Sequence, residues 1–359
     1  MRILITLFLL AALAAGGWAA WQVYAPAAPR GQQFVMLHPG YSPRRIASEL
    51  KKAGVIRSEL AFRLWHATHH AAKLKAGEYL FEREATLPQV YDRIARGDIY
   101  FHVVTIPEGY TMFDIAKAME DAGLCSAEDF LHLAETQTQL ISDIAPEAKT
   151  LEGYLFPNTY QFTRTQSVEE MIAAMVHQFR QVAREIGLIP IAPEAAETRQ
   201  AASLPNLGLQ KKAHKESPKE APNAVEKVVT MASIVEKETA APEERPRVAS
   251  VYYNRLAQKM ALDADPSVIY AEELAGTYRG SLHHDDMSVD SPYNTYRFAG
   301  LPPGPIANPG RSALEAAMHP DATKFLYFVG DGNGHHRFAT SLAEHNRNVA
   351  AYKRAVGAR

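Results

Sequence analysis

Two glutamates one residue apart, Glu236 and Glu238, close the apolar run Met-Ala-Ser-Ile-Val-Glu-Lys-Glu-Thr at residues 231–239. A carboxylic acid held against an apolar helix face loses hydration, which disfavours its charged form and raises its pKa. A rise of about two units from the reference of ~4.3 corresponds to roughly 2.7 kcal/mol and leaves the group partly protonated near neutral pH. That is the state a general acid needs. Most glutamates near helix ends are simply solvated, so the pair must be read with its surroundings. On a helical wheel Val225, Val228, Val229, Ala232 and Val235 form the apolar stripe. Glu236 projects near one edge and Glu238 near the other, beside Met231 and Ile234. The spacing predicts that either is partly desolvated. It does not choose between them.

A second set of residues suits sugar. Tyr154, Phe156, Tyr160, Tyr293 and Tyr296 fall in Pro/Gly-rich segments together with Asn158, Asn294 and Asp265. Loops of this kind, held by a scaffold, are where binding residues concentrate. Flat rings stack on pyranose faces, and amide or carboxylate groups bond hydroxyls in pairs, so a glycan cleft is expected. Metal chemistry is not. His283-His284-Asp285-Asp286 are consecutive in a loop and rarely converge on one ion, and His66 and His70 have spacing i,i+4 but no carboxylate partner. Cys125 is the only cysteine, which excludes an intrachain disulfide and a Cys-based zinc site. The turn at 330–334 is Gly-rich but lacks the Lys-Ser/Thr of a phosphate cradle. No cofactor is expected.

The elements that must hold these groups can be read in outline. With 359 residues, 47% hydrophobic and 22% charged, the chain has ordinary globular composition and room for two or three domains. A net charge of −2 gives no sign of a nucleic-acid partner. Residues 3–24 have Thr6 and Gln22 as their only clearly polar side chains. That length of helix reaches about 33 Å, enough for a hydrocarbon core of ~30 Å. Trp18, Trp21 and Tyr24 gather at its far end, where amphipathic rings favour the headgroup region. A cleaved signal peptide competes, because Ala25, Ala27 and Ala28 follow, but the apolar run exceeds the usual h-region of about 7–15 residues. A retained anchor at 1–24 is the favoured reading, and both put the remainder outside the cytoplasm.

A tether at 25–33 is expected next, then a strand at 34–37 and a helix capped by Ser42 and ending at Ala53-Gly54. A helix from 59 to 72, a strand at 77–81 and a helix at 87–96 stopped by Gly97 follow. The signature Gly40-Tyr41-Ser42 recurs as Gly109-Tyr110-Thr111, 69 positions later, and Ala53-Gly54 recurs as Ala122-Gly123. Either a small α+β module is duplicated or both stretches follow the generic grammar of helix caps. Residues 190–223 hold five prolines, a basic pair at Lys211-Lys212 and almost no periodic apolar positions, which predicts a flexible insertion. From 224 onward come helices at 224–239, 243–256 and 268–274, the last capped by 263–267. A helix at 312–318, a strand at 325–329 and a closing helix at 341–353 complete the reading.

The combination of MASIVEKET, RVASVYYNRL, LDADPSVIYA, SPYNTYRFAGLPPGPIANPG, SALEAAMHP and HRFATSLAEHN resembles the YceG-like family of endolytic murein transglycosylases. KAGEYLF, IPEGYT and LEGYLFPNTY fit as well, so the resemblance runs from the anchor to the end of the chain and is strongest over 225–346. It implies an α+β protein with an N-terminal transmembrane helix, LysM-like material at 34–100, a second α+β module at 101–189 that begins the catalytic domain, and a catalytic core at 224–359. It also implies a single-pass bacterial inner-membrane protein with its catalytic part in the periplasm, cutting nascent peptidoglycan strands internally and meeting the machinery that makes them. The second glutamate of Glu-Lys-Glu is the catalytic one by this resemblance, which is Glu238. Glu236, Glu152, Tyr154, Asn158, Asp265, Asn294 and Tyr296 are the expected substrate-binding residues, with Glu236 a supporting group and Asp265 or Glu152 open as a second carboxylate. The chain has Asn158 where the family usually has Asp, which removes an acid/base role there. Rival functions are a non-catalytic peptidoglycan-binding scaffold, a hydrolytic muramidase and a pyridoxal-phosphate lyase. The last would need a lysine beside a phosphate cradle, and neither Lys227 nor Lys237 has one.

Overall fold

A computed structural model describes residues 2–29, 31–69, 73–190 and 224–357. The insertion expected at 190–223 therefore lies, from 191 on, outside the described residues, as do Lys211, Lys212 and His70. The architecture is mixed helix and sheet, and the chain divides into two compact units. Unit 1 comprises residues 1–104, 122–124 and 161–167; unit 2 holds the rest.

Unit 1 opens with α1 (Arg2–Tyr24). Its stretch Ile3–Tyr24 has mean hydropathy 2.2, is unburied, and is long and apolar enough to cross a membrane. Next come β1 (Gln33–Leu37), α2 (Pro43–Lys52), α3 (Glu59–Thr68), β2 (Gly77–Phe81) and α4 (Leu87–Arg96). β1 and β2 pair antiparallel from Gln33 opposite Phe81 to Leu37 opposite Gly77. Alternation along β1 turns Val35 and Leu37 inward, against Ile46 and Leu50 of α2, Phe62 of α3 and Tyr91 and Ile94 of α4. Ser42, Ser58 and Thr86 cap the three helices through their side-chain oxygens, and Gly97 at φ 78° ends α4. Glu78 is buried, with Arg164 donating through Nε at 2.9 Å and through its backbone N–H at 3.1 Å. Burial alone would raise this carboxyl, but the Arg164 hydrogen bonds hold it below its usual value.

The expected tether behaves differently. Ala27 is buried and forms a β-bridge to Ala85, and Arg57 donates to the carbonyls of Ala25 at 3.3 Å and Pro26 at 2.5 Å. Ala/Pro composition gives no sign of this docking, which one guanidinium and two backbone carbonyls supply.

The next strand, β3 (His102–Ile106), is followed by α5 (Met112–Asp121), α6 (Ala127–Thr136) and β4 (Asn158–Phe162), and β3 and β4 form a two-stranded sheet. The order strand-helix-helix-strand thus occurs twice along the chain. In unit 2, α7 (Val168–Glu185) and α8 (Ala224–Glu238) precede α9 (Arg245–Ala257), α10 (Asp265–Ala275) and α11 (Arg311–Met318). The hairpin β5 (Tyr327–Gly330) and β6 (His336–Ala339) and then α12 (Leu342–Gly357) close the chain. β6 is absent from the sequence reading because His-Arg-Phe-Ala carries too little apolar alternation to register; its pairing rests on the Gly-rich turn before it. α10 begins at Asp265 itself, so Asp265 occupies the first helical turn and Ala264 the cap.

α8 is the centre of unit 2. Every residue from Val229 to Val235 is buried, Thr230, Met231, Ser233 and Ile234 included, so the helix is enclosed rather than striped, and Val225 and Val228 are only half-buried. Asn308 ties three segments together beside it. Its Oδ1 accepts from the N–H groups of Gly153 and Leu155, both at 2.9 Å, and its Nδ2 donates to Tyr110 O at 3.0 Å and Glu152 Oε1 at 2.7 Å. Gly153 has φ 89°, and a Cβ there would lie 2.5 Å from Pro305 and 2.9 Å from Val229. Gly153→Ala should therefore destabilise unit 2 by about 2–4 kcal/mol, combining left-handed strain with overpacking. Denaturant unfolding with an unchanged midpoint would contradict this placement.

Candidate active site

The two glutamates at the end of α8 face opposite ways, since two residues turn a helix by about 200°. Glu236 Oε1 accepts from Arg245 Nη2 at 2.5 Å and Oε2 from the Gly310 N–H at 2.9 Å. Its side chain is 4% exposed and that of Arg245 6%. Burial raises the Glu236 carboxyl, while the Gly310 N–H and Arg245 pull it back. Glu236 is a paired packing residue that closes unit 2 over the 305–310 loop.

Glu238 opens instead on a cleft of about 270 Å³. Tyr252 and Arg255 of α9, Leu262, Asp263 and Asp265 around the start of α10, Tyr296, Phe328 of β5 and His345 of α12 complete its lining. The Tyr252 phenol, itself 2% exposed, donates to the Glu238 carboxylate. Burial pushes Glu238 up to about 7; Asp265 adds to the rise, and Tyr252 and Arg255 oppose it. Desolvation is the dominant cause. The carboxyl thus exchanges its proton near neutrality inside a sugar-sized recess.

Local hydrogen bonding fixes the walls. Arg255 donates to Leu326 O at 2.7 Å, Ala261 O at 3.1 Å, Leu262 O at 3.0 Å and Asp263 Oδ2 at 2.9 Å, which locks the turn that carries Asp263 at φ 51°. Asn294 is fully buried and shapes the facing turn. Its Nδ2 donates to Met287 O at 3.0 Å and Val289 O at 2.9 Å, and its Oδ1 accepts from the Tyr296 N–H at 3.0 Å. Thr295 then accepts from the Ala264 N–H at 3.0 Å, and Tyr296 Oη donates to Asp265 Oδ1 at 2.5 Å. His345 stacks on Tyr327 at 5.2 Å, and burial followed by Arg255 pushes its imidazole below 6.5, which favours the neutral form.

Of the residues expected from sequence, Glu238, Asp265 and Tyr296 share the cleft. The others do not. Glu152 is 1% exposed, accepts from the Met112 N–H at 2.9 Å and from Asn308, and is pushed up to about 8 by burial, so it joins α5 to the 305–310 loop rather than meeting sugar. Tyr154 is fully buried against Phe179, their rings 5.1 Å apart. Phe156 and Tyr160 are also core, and Asn294 is a scaffold residue. Asn158 is exposed at the start of β4, where its Oδ1 accepts from Thr159 N–H at 2.8 Å, outside the cleft. Sequence reasoning missed Tyr252, Arg255, Phe328 and His345. Tyr252 and Arg255, spaced i,i+3 within RVASVYYNRL, were the available signal. In the loop of consecutive histidines and aspartates, Asp286 is occupied by the His283 N–H at 2.6 Å and Arg279 at 2.9 Å.

Two substitutions should move the Glu238 titration in opposite directions. Tyr252→Phe removes a hydrogen bond that favours the carboxylate, so the Glu238 pKa should rise above about 7. Asp265→Asn removes a neighbouring negative charge, so it should fall. Carbon-detected NMR titration of glutamate carboxyls would check both, and shifts of the same sign would refute this geometry.

Comparison with known proteins bears on the whole chain. It is 35% identical over 329 residues to the endolytic murein transglycosylase of Bacillus subtilis, covering 87% of this chain and 82% of that protein. It is 29% identical over 381 residues to the endolytic murein transglycosylase of Streptococcus pneumoniae, covering 96% of this chain but 64% of that longer protein. A 2.6 Å crystal structure of a putative yceG-like protein from Listeria monocytogenes superposes with a TM-score of 0.54 at 30% identity, covering 89% of this chain and 99% of that one. Residues 35–351 match the YceG-like family, and the chain belongs to it.

Proposed function

We propose that this chain is an endolytic murein transglycosylase, cutting the bond between N-acetylmuramic acid and N-acetylglucosamine within peptidoglycan strands, with Glu238 as its acid and base. The observation that carries the assignment to Glu238 is a desolvated carboxyl, poised at about 7, opening on a cleft. Family membership and the names of the relatives supply the reaction. Protonated Glu238 gives its proton to the glycosidic oxygen as the bond to the muramyl C1 breaks. The resulting carboxylate then takes the proton of the muramyl 6-hydroxyl while that oxygen attacks C1, closing a 1,6-anhydro ring. The attacking group is already tethered to the ring, and effective molarities for such attack reach ~10⁵ M or more, so no activated water is required. Tyr252 holds the Glu238 carboxylate, and exposed Tyr296 offers a ring to the sugar, oriented by Asp265.

In this reading α1 is a single-pass anchor in the bacterial inner membrane and the rest of the chain is periplasmic. The module at 34–100 is a LysM-like glycan-binding element, the catalytic core occupies 224–359, and nascent strands bring the protein to the machinery that synthesises them. Supporting this are the apolar stretch Ile3–Tyr24 and the strand-helix-helix-strand order of β1, α2, α3 and β2. A hydrolytic muramidase is the second reading, favoured by the presence of Asp265 in the same cleft as Glu238, since ordinary glycosidases use two carboxylates.

Product analysis separates them: the purified full chain acting on glycan strands should yield anhydromuramyl ends, and reducing ends would establish hydrolysis. Glu238→Gln should lower turnover by about 10²–10⁴. The fold should not suffer. A carboxyl raised on folding contributes stability below its unfolded value near ~4.3, and that stability is lost as pH rises through about 7, by up to about 4 kcal/mol. The Gln variant should therefore have a melting temperature at pH 8 equal to or above that of the parent. An active Glu238→Gln protein would end the assignment, and an inactive one that melts early would not support it.

A further inference from the structure

The proposed reaction leaves one feature of unit 1 unused, a groove of about 310 Å³ between the end of α1 and α3. It is almost wholly apolar, with Trp18 and Val23 on one side and Leu60, Leu64 and Trp65 on the other. Leu60 and Leu64, one turn apart, are 58% and 60% exposed. Arg63 is exposed between them, while Phe62 fills the core from the opposite face. A soluble module gains nothing from two such leucines on a single outward face.

Their position relative to α1 says what covers them. Tyr24 meets Trp65 edge-on with ring centroids 6.2 Å apart, and the Arg57 guanidinium lies 4.4 Å from the Trp21 ring centre. With the Arg57 bonds to Ala25 and Pro26 and the Ala27–Ala85 bridge, these contacts hold α3 alongside the last turns of α1. Trp18 precedes Gln22, the first polar side chain at that end of the helix, by four residues, about 6 Å at ~1.5 Å per residue. The inner end of the groove, at Trp18, therefore lies at about the depth of 5–10 Å at which amphipathic helices seat their apolar face in a membrane interface.

We propose that α3 is such an interfacial helix, with Leu60 and Leu64 inserted into the bilayer around α1 and Arg63 at the lipid phosphates. Unit 1 then rides on the lipid surface at a fixed height instead of swinging on a linker. This rests on the reading of α1 as a membrane anchor. The full chain, carrying Cys125→Ser and a single environment-sensitive fluorophore at Leu60→Cys, Leu64→Cys, Leu10→Cys or the exposed control Lys52→Cys, would be placed in phospholipid nanodiscs with spin-labelled acyl chains. Labels at 60 and 64 should shift to the blue and be quenched, less than at 10 and far more than at 52. Quenching at 10 with 60 and 64 behaving like 52 would overturn the proposal and leave the anchor standing. Blue-shifted but unquenched labels at 60 and 64 would mean that protein covers the patch, which also overturns it. No quenching at 10 would remove the anchor and this proposal together.

Discussion

Water cannot reach the end of α8 from most directions, and the chemistry of unit 2 depends on that. Seven consecutive buried residues, Val229 to Val235, enclose the helix up to its last turn, where Lys237 is exposed while burial raises both the Glu236 and the Glu238 carboxyls. The helix itself makes matters worse for an anion, because its C-terminus carries a partial negative charge of about half a unit. Glu238 is the last residue of α8, so desolvation, the helix end and the nearby Asp265 all act in one direction. The raised pKa follows from where the backbone puts the side chain, ahead of any specific contact.

A displaced pKa alone does not mark a site. Glu152 and Glu273 are also pushed up, to about 8 and about 7, in each case first by burial. Glu152 is spent on the α5 N-terminus and Asn308, with 1% exposure left for a substrate. Glu273 belongs to a different surrounding, facing Asp114, Lys237 and Thr111. What separates Glu238 from both is the recess it opens on, whose rim is held rigid because Asn294 and Arg255 each satisfy several backbone groups at once and Thr295 bonds both the Ala264 N–H and the Ser267 hydroxyl. Preorganised walls of this kind allow a carboxyl to meet substrate without reorganising.

Much of this was legible in residue order, and the failures have a common cause. Helix limits set by Ser42 and Gly97 were readable because caps are local. The strand at 77–81 and the helix at 87–96 were also readable within a residue or two. Glu238 could be narrowed to a pair, and Asp265 and Tyr296, expected as binding residues, line the same cleft although they lie far apart in sequence. Tyr154, Phe156, Tyr160 and Glu152 were misplaced because the segment at 151–162 looks like a loop by composition, yet Asn308, more than 150 positions later, folds it into the core. His345 was invisible for the converse reason: it sits on a regular helix, where nothing local distinguishes a cleft-facing side chain from a packed one. The segment at 25–33 was read as a tether from composition, and the docking of Ala25, Pro26 and Ala27 depends on Arg57 and Ala85 much further along the chain.

The contrast between Glu236 and Glu238 comes down to how two arginines are employed. Arg245 points its guanidinium at Glu236, and the Gly310 N–H takes the other oxygen, so both oxygens face donors that offer a carboxyl proton no acceptor. Arg255 stands beside Glu238, yet its donors go to the carbonyls of Leu326, Ala261 and Leu262 and to the carboxylate of Asp263. Its charge is felt at Glu238 without a direct bond, and Asp263 neutralises much of it on the spot. Had Arg255 reached Glu238 as Arg245 reaches Glu236, it would have opposed the rise in the Glu238 pKa more strongly. The turn at 261–263 therefore does two jobs with one side chain: it shapes the floor of the cleft and keeps the nearest cation from claiming the acid.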